Sequence, residues 1–167
     1  KEQAEILAES GVDIIALEMC ERLELSEAVA SAVTGLSLPV WIGVSARAHK
    51  GHDSLSSFSY ADRDFENLVK VLCKYSPSLM NVMHTAVPDV GTAIDVVKKY
   101  WDGPIGVYPE SGYFSMPNWN FVEIIEPAEL AEQARQWLAN GVRLLGGCCG
   151  LGPGHIQALR GMVSADT

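Results

Sequence analysis

The stretch Leu144-Leu145-Gly146-Gly147-Cys148-Cys149-Gly150, continued by Leu151-Gly152-Pro153-Gly154-His155-Ile156, decides how the rest of the chain is read. Two leucines close a short apolar strand, two adjacent cysteines follow among glycines, and Pro153 suits the first turn of a helix, where its missing N–H costs nothing. The thiols therefore stand where a strand ends. In parallel α/β folds that is the edge at which ligands bind. A vicinal pair alone also fits a strained disulfide or two small core side chains, because free cysteine packs as a small hydrophobe. Zinc takes three or four protein ligands, so a third ligand from elsewhere in the chain decides between these readings.

The chain around this stretch has the composition of a globular domain. Its 167 residues are 48% hydrophobic, enough for one core in a single domain over 1–167. Twelve basic and 21 acidic residues give a formal net charge of −9, which argues against nucleic acid or an anionic membrane as partner. No apolar run approaches the roughly 18 residues of a membrane span, and no charged-then-apolar leader is present, so a cytoplasmic protein is expected. The four cysteines (Cys20, Cys73, Cys148 and Cys149) do not make a secreted disulfide framework. Cys73 shares a helical stripe with Phe65, Leu68, Val69 and Leu72 and is expected in the core, and Cys20 follows a strand without a clear partner.

Outward from the cysteine turn, apolar runs and helical patterns alternate. Strands are expected over 12–17, 40–44, 79–83 and 104–108 and directly before Cys148, and helices over 1–10, 25–35, 62–75, 90–100 and 127–140 and from Pro153 on, with Asp62 capping the third helix. The order is α(βα)₅, suited to right-handed parallel crossovers. Two long connections interrupt it. Residues 46–60 are serine-rich and carry His49 and His52, which read as solvated side chains on a loop over a site. Residues 109–126 carry Tyr113, Phe114, Trp119 and Phe121, which fit either a lid or packing on a neighbouring helix.

Three groups of chemical interest follow three strands. Glu18 comes after the first, His84 after the third, and Cys148 with Cys149 after the fifth. A parallel sheet brings all of them to one edge, and in a curved sheet one strand separates the third from the fifth, so His84 reaches the cysteines. A Cys₂His set with an open fourth position matches a catalytic zinc site. His155 lies a full turn beyond the cysteines and is expected to orient the turn.

The sequence Gly146-Gly147-Cys148-Cys149-Gly150, with Gly152-Pro153 and His155-Ile156 behind it, resembles the signature of the homocysteine S-methyltransferases. Leu17-Glu18, Asp102-Gly103-Pro104, Gly106-Val107-Tyr108-Pro109 and Ser111-Gly112 match further segments, so the resemblance runs through the whole chain. It implies a partial TIM barrel, about five of eight βα units. It also implies Zn²⁺ on His84, Cys148 and Cys149, Glu18 on the amino group of homocysteine, and Tyr108 in the substrate site. The implied reaction is transfer of a methyl group from an activated donor to the thiol. Met83-His84-Thr85 stands where the family has a cysteine ligand, so the site is one charge unit more positive, and a substrate thiolate there forms more easily and is less nucleophilic.

Two rivals belong to other classes: a metal-dependent hydrolase whose zinc-bound water is activated by Glu18 or Glu110, and a non-catalytic remnant of the barrel. Five strands do not close a barrel. An apolar inner face carrying Val40, Ile42, Ile105 and Val107 is therefore expected to be covered in a homo-oligomer or by the rest of a longer gene product.

Overall fold

A computed structural model describes residues 1–117 and 120–165; Trp119, singled out above, lies outside the described residues. The chain opens with α1 (Glu2–Glu9), β1 (Ile15–Cys20), α2 (Leu23–Val33) and β2 (Val40–Val44). A small antiparallel sheet follows, made of β3 (Ala46–Arg47), β4 (Ser56–Ser57) and β5 (Tyr60–Asp64). Then come α3 (Phe65–Leu72), β6 (Leu79–Ala86), α4 (Val87–Lys98) and β7 (Ile105–Glu110). The hairpin β8 (Tyr113–Ser115) and β9 (Asn120–Val122) precedes α5 (Pro127–Ala139), β10 (Val142–Leu145) and α6 (Pro153–Ala165).

The main sheet has five strands in the order β1-β2-β6-β7-β10, every pair parallel. Neighbours in space are thus successive βα units. A doubly wound sheet reverses its strand order partway, whereas this order is that of consecutive staves of a barrel, so the fold is α/β, a partial barrel of five units.

Residue parity along the strands separates the two faces. Ile15, Leu17, Ile42, Val44, Met80, Val82, Ile105 and Val107 share one buried cluster with Ala30, Val33, Leu68, Ile94, Val97, Leu130 and Ala134 of the helices. The other face carries Gly43, Leu79, Asn81, Met83, Gly106 and Tyr108: a Cβ on Gly43 would stand 2.7 Å from the Met83 sulfur, and one on Gly106 would fall on Asn81 Oδ1. This corrects the expected inner face. Ile42, Ile105 and Val107 are at most 4% exposed and belong to the helix-side cluster, and Val40 lines a cavity with Ala30 and Val33 of α2. Side chains alternate along a strand, and the glycines at 43 and 106 mark the face where strands crowd.

Several boundaries also differ from the sequence pattern. Glu18 lies within β1 and His84 within β6, each next to a break in pairing register, between Leu17 and Cys20 and between Met83 and Ala86. Met19 (φ +54°) and His84 (φ +45°) adopt left-handed backbone there, so the strands continue past the residues that looked like their ends. Asp64, not Asp62, caps α3, accepting the Glu66 N–H at 3.0 Å, because 60–64 is strand and the helix starts at Phe65. The two long connections hold β3–β5 and the β8–β9 hairpin. Cys73 sits in a single 3-10 turn after α3 and is half-buried against the core. Among the described residues no helix is long and apolar enough to cross a membrane.

Two glycines are expected to respond oppositely to alanine. Gly106→Ala forces the new methyl group onto Asn81 and should cost about 1–3 kcal/mol. Gly91→Ala, in α4 with nothing within 4 Å of the added carbon, should stabilise by about 1 kcal/mol. Urea-unfolding midpoints check both signs.

Candidate metal centre

Backbone hydrogen bonds extend the β7–β10 pairing beyond the end of β10 and fix the cysteine turn. Gly146 N–H donates to Val107 O (2.8 Å), Cys148 N–H to Pro109 O (2.8 Å), and Ser111 N–H to Cys149 O (3.0 Å). Gly150, at φ +78°, closes the turn so tightly against Ser111 that a Cβ would fall on the Ser111 carbonyl oxygen. Only glycine meets both demands. His155 sits behind the turn, its Nδ1 accepting the Gly152 N–H at 3.1 Å and its Nε2 donating to Ile125 O at 2.8 Å. It orients the turn and stands apart from the thiols.

Across the sheet edge, the left-handed backbone at His84 turns its ring toward the turn. Nδ1 lies 3.3 Å from Cys148 Sγ, and the two sulfurs are 3.9 Å apart. One ligand atom from each of His84, Cys148 and Cys149 falls within 4.8 Å of the others, and all four cysteines are free thiols. Tetrahedral zinc, with bonds of about 2.0–2.3 Å, places its ligand atoms roughly 3.5–3.8 Å apart, so the donor set fits such an ion with little movement. Burial pushes the Cys148 thiol up to about 11, so metal binding there must displace a proton.

Glu18 and Tyr108 meet beside this cluster. The Tyr108 hydroxyl lies 3.4 Å from Glu18 Oε1 and 3.3 Å from the sulfur of Met83, the residue before His84. Burial, reinforced by the Glu18 carboxylate, holds the Tyr108 phenol well above its ordinary range, so it remains a donor. Glu18 is exposed on the helix-free face.

Glu110, named above only as a base for a rival reading, contacts the cluster directly: Oε2 lies 3.3 Å from His84 Nε2 and Oε1 lies 3.5 Å from Arg47 Nη2. Burial holds its carboxyl above the usual range, against the opposing pull of His84 and Arg47. Arg47 and Phe58 were not singled out from the sequence. Arg47 follows the carboxyl end of β2 by three residues, so the strand-end rule that flagged Glu18 and His84 also reaches it. Phe58 gave one signal, an aromatic inside a serine-rich run. The two histidines of that run lie apart from the thiols: His49 Nε2 bonds Ser57 O at 3.0 Å, and His52 is exposed.

The family model for homocysteine S-methyltransferase matches residues 1–163. Homocysteine S-methyltransferase YbgG of Bacillus subtilis (strain 168) is 27% identical over 161 residues, covering 92% of this chain and 47% of that protein. The homocysteine S-methyltransferase of Escherichia coli (strain K12) is 28% identical over 170 residues, covering 95% and 50%. The crystal structure of the metallated form of the homocysteine methyltransferase MmuM from Escherichia coli superposes with a TM-score of 0.72 at 25% identity, over 95% of this chain and 48% of that one. The chain spans about half the length of the curated relatives it matches.

The geometry predicts that Cys148→Ala and His84→Ala abolish tight zinc uptake, whereas Cys73→Ala retains it and loses only about 1–2 kcal/mol of packing. Because a proton must leave each of Cys148 and Cys149, affinity should rise with pH, by up to about a hundredfold per unit in the acid to neutral range. Competition with a chromogenic chelator measures both.

Proposed function

The chain belongs to the homocysteine S-methyltransferase family, and we propose that it carries that family's thiol-activating half-site, with Zn²⁺ held by His84 Nδ1, Cys148 and Cys149. The observation that carries this reading is the convergence of a ring nitrogen from β6 and two sulfurs from the turn after β10 within 4.8 Å of one another. When bound there, zinc lowers the pKa of a thiol entering the fourth position and keeps it as thiolate near neutral pH.

The chain's own residues then select and orient the substrate. Glu18 presents an exposed carboxylate that suits the ammonium of an amino-acid thiol, and Tyr108 donates to it and limits its rotamers. The homocysteine sulfur attacks an activated methyl group; a sulfur–carbon bond forms while the donor's bond to that methyl breaks and the donor keeps the electron pair. His84 supplies a neutral donor where a third cysteine would add a negative charge. That difference favours thiolate formation and reduces the nucleophilicity of the sulfur. Of the two bases the hydrolase reading names, Glu110 already faces both His84 and Arg47, which leaves the exposed Glu18 for that role.

Assembly is proposed as self-association. Ile6 and Leu7 of α1 and Leu25 and Val29 of α2 stay exposed beside edge strand β1, and Ile156 and Val163 of α6 beside edge strand β10. Leaving such surfaces wet forgoes roughly 25 cal/mol per Å². Sedimentation at low micromolar concentration should show a dimer or larger species, and a stable monomer overturns this part.

For the site itself, homocysteine should perturb the visible spectrum of the cobalt-loaded chain, with Glu18→Gln needing about tenfold more thiol. A methyl-labelled sulfonium donor should label homocysteine only when metal is present. Metal-dependent hydrolysis without thiol would instead support the hydrolase, and a cobalt spectrum indifferent to thiol would support the non-catalytic remnant.

A further inference from the structure

A neutral imidazole has one N–H and one lone pair, and a metal can use only the nitrogen that carries the lone pair. Around His84 the surroundings distinguish the two nitrogens. Nδ1 faces Cys148 Sγ at 3.3 Å, while Nε2 faces Glu110 Oε2 at 3.3 Å. An ionised carboxylate only accepts, so a carboxylate at that place puts the proton on Nε2 and leaves the lone pair on Nδ1.

Glu110 is itself held. Its other oxygen, Oε1, lies 3.5 Å from Arg47 Nη2; the Arg47 guanidinium stacks 3.6 Å above the Phe58 ring; and the Phe58 ring packs against the His84 imidazole with centroids 4.5 Å apart. The four side chains close a ring, His84 to Glu110 to Arg47 to Phe58 and back to His84. They come from β6, from the end of β7 and from the β3–β4 region, so no local sequence pattern accounts for their meeting. The Glu110 side chain is 11% exposed and the His84 side chain 18%, so water competes little for their contact.

We propose that Glu110 is a positioning residue that commits His84 to bind metal through Nδ1, with Arg47 and Phe58 holding the carboxylate and the plane of the ring. The proposal rests on the reading of His84, Cys148 and Cys149 as metal ligands. It explains why this chain needs such a shell: a cysteine ligand offers one sulfur and has no tautomer to choose, whereas a histidine placed there is a competent ligand only in one of two protonation patterns. Removing an outer partner of a ligating histidine lowers metal affinity by about 10–100-fold.

The test uses the full chain and two readouts. In the metal-free protein, ¹⁵N-edited spectra should show His84 as the Nε2–H tautomer; an Nδ1–H tautomer overturns the proposal without touching the identity of the ligands. Zinc affinity, measured by chelator competition, should fall about 10–100-fold in Glu110→Ala and less in Glu110→Gln, which keeps one acceptor oxygen. Arg47→Met, which leaves Glu110 in place, should lose affinity several-fold and serves if the Glu110 variants fold poorly. In the His84→Cys background, Glu110→Ala should change affinity less than about twofold, since no ring remains to orient. An equal loss in both backgrounds, or no loss in either, overturns the proposal. A wild-type chain that takes up neither zinc nor cobalt overturns the ligand reading itself.

Discussion

The candidate site depends on the backbone ladder that joins the cysteine turn to the end of β7. Cys148 N–H and Ser111 N–H are spent on Pro109 O and Cys149 O, so the two sulfurs have no freedom to drift along the sheet edge. Each bond contributes on the order of 1 kcal/mol net, but leaving either group unpaired costs more than making the bond gains. Gly150 makes the ladder possible by allowing the turn to lie against the Ser111 carbonyl. The register of β10 on β7 therefore sets the position of the thiols, and the packing of α5 and α6 secures that register.

The other half of the site depends on two bulges. Met19 and His84 both take left-handed backbone, an arrangement that costs a non-glycine residue about 1 kcal/mol or more. They are tied to each other through neighbours: Met19 N–H donates to the Met83 sulfur at 3.2 Å, and Ser45 Oγ donates to the Met19 sulfur at 3.3 Å. An ordinary strand at 84 would continue the alternation and change the direction of the imidazole. The bulge re-aims it toward Cys148, which is the use strand irregularities serve beside ligand sites. The small β3–β5 sheet braces this arrangement, with Ala46 N–H donating to Thr85 Oγ1 at 3.0 Å and Ser57 Oγ to Glu21 O at 2.8 Å.

How much of this the sequence disclosed follows the range of the interactions involved. The parallel βα alternation is legible because apolar runs such as 40–44 and stripes such as Phe65, Leu68, Val69 and Leu72 are local patterns. The juxtaposition of His84 with the cysteines is legible because one topological rule sends strand ends to one edge. The bulges are not: nothing in Leu17-Glu18-Met19-Cys20 or Met83-His84-Thr85 marks a left-handed residue, since the conformation is imposed by pairing with β2 and β7. The direction of Ile42, Ile105 and Val107 is not legible for a related reason. In a strand apolar on both faces, hydrophobicity does not say which face meets the helices, and Gly43 and Gly106 carried that information instead. The two-residue strands β3 and β4 have no period to read, and they are what brings Arg47 and Phe58 to His84.

On the proposed reading, an imidazole at position 84 in place of a thiolate has consequences beyond the ligand itself. The donor set loses one negative charge, and the new ligand brings a second nitrogen whose proton must be accommodated in a half-buried place. Glu110 answers the second, since it accepts at Nε2. Arg47, which is 44% exposed, then limits the cost of burying that carboxylate without occupying the site. A carboxylate so engaged is poorly suited to take a proton from water. On the proposed reading, the contacts that complete the histidine ligand therefore leave Glu110 unavailable as the base of a hydrolase.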